Sequence, residues 1–232
     1  MKNKAFLVII VLMFIVGTYW YISQSPSAAF ALDARDTIAS WDFQASHKDG
    51  GELEKRVRDE IGRLEERLRD SDTEPPDYQL YVGLAGQYLL LGDGAAAYKE
   101  LQKALEIDAE KTGLAWHNMG ALMERLGAPY SALEAYDRAV KAQPHIDGYH
   151  AAYINFALKQ FSEDKALIED ALARAETQFE DDTFVFQLRA QWLEGQERYE
   201  EAIAQWEKIK QGAPPDVSEG IDRRIAELRS KL

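Results

Sequence analysis

Apolar residues recur at intervals of three and four over residues 52–232, and this is the period of amphipathic α-helices. The first such stretch is ELEKRVRDEIGRLEERLRD, in which Leu53, Val57, Ile61, Leu64 and Leu68 fall on one helical face among alternating Glu and Arg. Turn residues and two prolines follow it. The pattern predicts a charged helix within residues 52–76 that packs on the next helix. Dimerisation as a coiled coil is the alternative use of that face.

The next pattern has large and small residues at fixed positions. In GLAWHNMGALMERLGAPYSALEAYDRAVKAQPHI, residues 113–146, Trp116 and Tyr136 alternate with Gly120, Ala132 and Ala139. Two antiparallel helices approach closely only where small side chains stand at their crossing, and large side chains then fill the space on either side. The unit therefore predicts a tightly packed helix–turn–helix.

A glycine at the turn and a proline after the second helix complete this unit, at Gly127 and Pro144. With these positions the unit resembles the tetratricopeptide repeat, W-x₂-L-G-x₂-Y…A-x₃-F…P, with Met119 and Met123 in place of Leu and Tyr. The resemblance implies an all-α, right-handed superhelical solenoid.

The same spacing recurs in residues 77–110 and 183–215, although Arg189 replaces an apolar residue in the latter. Residues 148–182 form an irregular third unit, which is longer and has Tyr153 where the other units have Gly or Ala. Four repeats are thus expected within residues 77–216. The helix within residues 52–76 caps one end, and a helix within residues 217–232 caps the other.

The N-terminus contains 18 uncharged residues, AFLVIIVLMFIVGTYWYI at 5–22, which rise about 27 Å as a helix. Lys2 and Lys4 precede it, which predicts a single-pass anchor in the inner membrane with residues 1–4 cytoplasmic and the repeats periplasmic. The alternative is a signal peptide cleaved after Ala31, which also exports the repeats. Residues 23–51 are expected to be a linker, whose Trp41 docks on its own domain or on a partner.

The composition and the motifs exclude several classes of function. The net charge of −13 argues against nucleic acid as a partner, and the absence of cysteine excludes disulfides, thiolate metal sites and cysteine nucleophiles. No phosphate-binding loop, nucleophile elbow or metal-binding histidine pair appears. We therefore expect no enzyme, no catalytic residue, no cofactor, no bound metal and no small-molecule substrate.

By the resemblance, the first helices of the repeats line a concave groove for a peptide. The groove residues expected from this are Val82, Leu89, Leu90, Leu114, His117, Ala121, Glu124, Arg125, His150, Ile154, Phe184, Gln187 and Gln191. This largely apolar set indicates a ligand with apolar anchors. The alternative for each residue is packing against the neighbouring repeat. His117 and His150 occupy equivalent positions of adjacent units, but no third metal ligand accompanies them.

The sequence thus predicts a membrane-anchored interaction module or scaffold, which binds a protein or peptide in an extracytoplasmic assembly pathway. Residues 52–232, which end in AIAQWEKIKQGAPPDVSEGIDRRIAELRSKL, also look similar to the tetratricopeptide subunits of bacterial cytochrome c biogenesis. That resemblance implies an alternative function, in which the groove holds an apocytochrome peptide.

Overall fold

The computed structural model describes residues 30–45, 47–70, 77–180 and 182–232, and Leu32–Leu232 form one compact unit. Ten α-helices lie within these ranges, and no strand does. They are α1 (Glu52–Arg69), α2 (Asp77–Leu91), α3 (Gly94–Ile107), α4 (Leu114–Arg125), α5 (Pro129–Ala142), α6 (Asp147–Gln160), α7 (Lys165–Gln178), α8 (Thr183–Gly195), α9 (Tyr199–Gly212) and α10 (Pro215–Arg229).

The helices are packed as consecutive pairs. Helices α2 and α3, α4 and α5, and α8 and α9 each make extensive contact within the pair. Each pair then stacks on the next, since α3 contacts α4, α5 contacts α6, and the first helices α2 and α4 also touch. This arrangement confirms the all-α solenoid of helix–turn–helix repeats.

The close helix crossings lie where the sequence has its small residues. A Cβ built on Gly120 of α4 would lie 2.7 Å from the ring of Tyr136 on α5. Ala85 and Ala190 hold the equivalent positions of α2 and α8 and are completely buried. Gly127 adopts φ +71°, the left-handed conformation that closes the turn between α4 and α5.

The third repeat departs from this packing. Tyr153 occupies the crossing position on α6, where its side chain is buried, and α6 and α7 contact each other less extensively than the helices of the other pairs. A phenol ring at a crossing keeps two helix axes apart, whereas a hydrogen atom or methyl group lets them meet. The irregular spacing in the sequence therefore has a direct consequence for packing.

Both terminal helices cover the apolar ends of the stack. Val57, Ile61 and Leu64 of α1 pack against Leu80 and Leu84 of α2, while Leu53 in its first turn stays exposed. At the other end α10 packs against α9 through a cluster formed by Ile209, Ile221 and Ile225. Helix α10 starts at Pro215, earlier than expected, since proline suits the first turn of a helix.

None of the helices in the described ranges has both the length and the apolar character that a membrane span needs. The hydrophobic segment 5–22 lies outside the described residues. The anchor and the signal peptide both stay predictions.

Candidate functional site

The expected groove residues fall into two groups, and the accessible group lies on the first helices of the repeats. Leu90, near the end of α2, is 36% exposed, and Leu114, at the start of α4, is 44% exposed. The other accessible members are Arg125, Gln187 and Gln191, which are exposed, and Leu89, His117, Ala121, Glu124 and Phe184, which are half-buried. We call this surface the A-helix face.

The second group packs inside the solenoid. Val82, His150 and Ile154 are 8%, 2% and 0% exposed, so the structure removes them from the accessible lining. The residue pattern did not separate the two groups, because a first helix of a stacked repeat has apolar residues toward its neighbour as well as toward the groove. For these three residues the packing alternative holds.

The two histidines at equivalent positions are part of aromatic packing. The ring of His117 lies between those of Tyr136 and Tyr149, at centroid distances of 5.7 and 5.3 Å. Its buried Nδ1 has no hydrogen-bond partner among the described residues, and burial lowers its pKa. Both features favour the neutral imidazole.

His150 is fixed differently. Its Nε2 lies 2.9 Å from the carbonyl oxygen of Pro144, and its ring packs edge-on against Phe179. Burial lowers its pKa, against the smaller opposing effect of the hydrogen bond with Pro144. Across the described residues no group of three potential ligands is placed to hold a metal ion, and this covers both histidines.

Glu124 is already engaged within the chain. Its carboxylate accepts a hydrogen bond of 3.3 Å from the hydroxyl of Tyr136 and pairs with Nζ of Lys159 at 2.8 Å. The equivalent residue of the fourth repeat, Glu194, accepts from Nε1 of Trp206 at 2.7 Å and pairs with Arg224. In both repeats a glutamate thus joins the aromatic residue of its own second helix to a cation of the helix that follows, Lys159 on α6 or Arg224 on α10.

Arg189 replaces an apolar residue without leaving a buried charge unpaired. Its guanidinium donates two hydrogen bonds of 2.8 Å to Glu176 and a further one to Glu169, both on α7. It also lies 5.7 Å from the ring of Trp192. These bonds tie α8 to α7, where the third repeat is otherwise loosely packed.

The segment 32–45, which we call the strap, lies across the turns of the first two repeats. The amide of Phe43 donates to the carbonyl oxygen of Gly92 at 3.0 Å, and the amide of Gly94 donates to that of Trp41 at 2.8 Å. The Trp41 ring meets Tyr98 edge-on at 5.1 Å. Of the two sequence alternatives for Trp41, the structure shows docking on its own domain.

The strap also caps α5. The carboxylate of Asp36 accepts from the amides of Tyr130 and Ser131 at 3.2 and 2.6 Å, at a helix start where Ala128 offers no capping side chain. The amide of Asp33 donates to the hydroxyl of Ser131 at 2.9 Å. Its carboxylate binds Arg35, and this hydrogen bond lowers the pKa of Asp33 to about 2.

Arg125 also contacts the strap. Its guanidinium carbon lies 5.6 Å from the ring of Phe43, within reach of a cation–π interaction. The residue was expected to line the groove, and the structure shows that it also holds the strap. Sequence spacing could not have found this link, because the strap has no helical period of its own.

Comparisons with known proteins give structural likenesses only. No family model matches the chain, and no curated protein does. Two crystal structures of MamA align with TM-scores of 0.52 and 0.51 at 13% and 16% identity, over 80% and 68% of this chain and 99% and 85% of theirs. TTC0263, a thermophilic TPR protein of Thermus thermophilus, aligns over 75% of this chain and 91% of its own, with a TM-score of 0.49 and 20% identity.

At such identities the likeness shows the fold alone. The resemblance to cytochrome c biogenesis subunits is not shown by these comparisons and stays a prediction. The helix pairs, the small residues at their crossings and the 34-residue signature agree with one another, and the chain has the tetratricopeptide-repeat fold.

Proposed function

We propose that this chain is a non-catalytic interaction module that binds a segment of a partner protein on its A-helix face. The supporting observation is the exposure of two leucines, Leu90 and Leu114, on neighbouring first helices that contact each other. Leu89 and Ala121 of the same two helices are half-buried members of the same face, and an extended apolar surface in water is typical of a site that a partner covers.

The spacing of these leucines indicates the ligand. Leu114 begins its helix, whereas Leu90 stands eleven positions later in the repeat register, so the two mark opposite ends of the face. At 1.5 Å per residue the separation along the helix axes is about 16 Å. This length suits three turns of an amphipathic helix or about five residues of an extended strand.

We also propose that residues 5–22 hold the module at the inner membrane, with the repeats on the periplasmic side. Support comes from the uncharged run of 18 residues and from the lysines before it. Tethering confines module and membrane-bound partner to the same thin layer, which raises their effective concentration.

A photo-crosslinking amino acid at position 90 or 114 tests the proposed face in intact membranes. We expect one discrete crosslinked partner from both positions, and we expect Leu90→Asp to abolish the product formed from position 114. Position 107 is the matched control, because Ile107 is an apolar residue on a second helix and is 52% exposed. The same product from position 107 with equal yield would overturn the proposal.

The absence of native cysteine makes the membrane proposal easy to test. A single cysteine introduced at Ser230, beyond the last helix, should react in intact cells with a maleimide that crosses only the outer membrane. Extraction at alkaline pH should leave the protein with the membrane. Labelling only after lysis would place the repeats in the cytoplasm, and release at alkaline pH would exclude a retained anchor.

A further inference from the structure

We propose that the turns of the first two repeats form a second peptide-binding surface, which the strap occupies in cis and a partner segment of similar chemistry occupies in trans. We call this surface the turn edge. It consists of Gly92, Gly94, Tyr98, Arg125, Tyr130 and Ser131. The proposal is independent of the A-helix face, since most of the turn edge lies at the ends of helices rather than along the first helices.

The backbone of the strap approaches two glycines of the turn edge more closely than a side chain would allow. A Cβ on Gly92 would overlap the carbonyl oxygen of Phe43, and a Cβ on Gly94 would overlap that of Trp41. Gly92 has φ +70°, so the turn alone explains its glycine. Gly94 is the first residue of α3 and has no positive φ, so the turn conformation does not require glycine there. The approach of the strap backbone accounts for it.

The side-chain contacts define what the turn edge recognises. Tyr98 contacts the ring of Trp41, and Arg125 contacts the ring of Phe43. Between them the side chain of Asp42 is 74% exposed, and Lys48, at 3.7 Å, is its one ion-pair partner among the described residues, so this position tolerates other residues. The recognised core is therefore an aromatic residue, any residue, and a second aromatic residue in an extended conformation.

A carboxylate before this core provides the third contact. Asp36 stands five residues ahead of Trp41, and its two oxygens accept from the amides of Tyr130 and Ser131. Backbone amides at a helix start carry partial positive charge and favour an anion. The partner segment that fits the turn edge thus carries an acidic residue five positions before its aromatic–x–aromatic core.

Release of the strap removes the Asp36 cap from the start of α5 but breaks no contact between helices. The strap has one isolated bridge, Asp42 with Asp93, in place of regular secondary structure, and the rings of Trp41 and Phe43 are only half-buried. Residues 48–51, which precede α1, are exposed and include Gly50, at φ +72°, and Gly51. Because these residues lie outside α1, the strap can detach while α1 remains folded on α2.

A partner segment must compete with the tethered strap for the turn edge, and this competition determines the affinity that the partner needs. A tethered segment has an effective concentration on the order of millimolar, so a free competitor binds visibly only when the strap is weakened or when the competitor is itself confined nearby. The strap then acts as a selectivity filter, because segments that lack the two aromatic rings and the carboxylate cannot replace it.

A synthetic, fluorescently labelled peptide of residues 32–45 tests the proposal with the full-length chain in detergent micelles. We expect the Trp41→Ala/Phe43→Ala variant to bind this peptide at least tenfold more tightly than the wild-type chain, measured by fluorescence anisotropy. Peptides in which the residue equivalent to Trp41, Phe43 or Asp36 is replaced by Ala should each bind more weakly. Equal affinity of variant and wild type for the peptide would overturn the proposal.

Two further variants locate the binding site, and a third serves if the double variant does not fold. Adding Gly94→Ala to the double variant should abolish peptide binding, because the Cβ alone overlaps the position of the Trp41 carbonyl oxygen, whereas a longer side chain would also press on Leu122 and Leu126. Adding Leu114→Asp should leave it unchanged, so failure of the A-helix face and failure of the turn edge are distinguishable. If circular dichroism shows that the double variant is unfolded, Asp36→Ala replaces it, with at least threefold tighter peptide binding expected than for wild type. Binding that survives Gly94→Ala would also overturn the proposal.

Discussion

Gly120 and Tyr136 meet at the crossing of α4 and α5, where a methyl group on Gly120 would lie 2.7 Å from the edge of the ring. The ring of Tyr136 cannot easily move away. It is buried, it packs against Phe156 at a centroid distance of 5.4 Å, and its hydroxyl donates a hydrogen bond to Glu124. The contact shows why the repeat needs its smallest residue beside one of its largest.

Gly120→Ala should therefore destabilise the protein. The overlap with a ring that is fixed on several sides lies toward the upper end of the about 1–3 kcal/mol that overpacking costs, and there it outweighs the gain of about 1 kcal/mol that alanine brings to a helix interior. Gly86 is the matched control, since it lies within α2 and its Cβ would meet no atom within 4 Å. We expect Gly86→Ala to raise the midpoint of urea denaturation and Gly120→Ala to lower it. Equal shifts for the two variants would contradict the packing.

Trp116→Ala should cost about 3–5 kcal/mol, because a large buried side chain leaves a cavity. The indole also donates a hydrogen bond of 2.7 Å from Nε1 to the carbonyl oxygen of Ala109, and Arg138 lies 4.6 Å from the ring. Trp116→Phe keeps much of the volume but loses the hydrogen bond, so its loss should be smaller. Thermal unfolding of the three proteins measures both contributions, and an unchanged melting curve for Trp116→Ala would contradict the repeat register.

Much of this packing could be predicted from the residues alone. The 34-residue spacing identifies which side chains meet, as at Gly120 and Tyr136, because a helical period converts sequence distance directly into direction. The irregular third repeat is predicted in the same way, from Tyr153 at a position that needs a small side chain.

The contacts of the strap and the hydrogen bonds of the glutamates could not be predicted from the residue pattern. Trp41 has no periodic neighbour that reveals where it docks, and a glutamate such as Glu124 looks the same in sequence whether it faces a ligand or a tyrosine of its own repeat. Val82 and Ile154 show the same problem for apolar side chains, which suit a groove and a core equally well.

Stability should fall as the pH is lowered below about 6.5, through His117 and His150. Burial lowers the pKa of both imidazoles below the ordinary value of 6.5. As the pH drops through 6.5 the unfolded chain takes up protons that the folded chain does not, so the equilibrium shifts towards unfolding until the lowered pKa values are passed. The carboxylates with lowered pKa values, such as Asp33 with a pKa of about 2, lose their contributions at lower pH.

His117→Phe should reduce this pH dependence, because a phenyl ring also fits between Tyr136 and Tyr149 and does not titrate. The urea midpoints at pH 7.5 and pH 5.5 provide the measurement. His145→Gln, at an exposed position before α6, is the control for removal of a histidine. An undiminished drop in midpoint for His117→Phe would show that His117 is not a source of the effect.

The third repeat should be the least protected part of the solenoid. Helices α6 and α7 are in limited contact with each other, and α7 is in limited contact with α8. Segments with few packing contacts open at a lower free-energy cost than the rest of a protein. In hydrogen–deuterium exchange, amides within Lys165–Gln178 should therefore exchange faster than those within Pro129–Ala142. Arg174 of α7 also pairs with Asp137 of α5 at 2.8 Å. Equal protection of the two helices would mean that this ion pair and those of Arg189 fully replace the missing packing.

Asp36→Ala should lower stability by about 1 kcal/mol, the usual cost of losing a helix cap. The reason is local, because without the carboxylate the amides of Tyr130 and Ser131 lose their acceptor and the strap loses a contact at its N-terminal half. Asp42→Ala is the matched control within the same segment, since that carboxylate is exposed and, in the part of the chain that the structure describes, pairs with Lys48 alone, at 3.7 Å. Surface pairs of this kind contribute little, so the control should melt within error of wild type. If both variants melt alike, the capping carboxylate adds nothing beyond a surface charge. A selective effect of Asp36 would instead show that a residue ninety-five positions before Ser131 is needed to complete α5, and that the strap is part of the folded repeat domain.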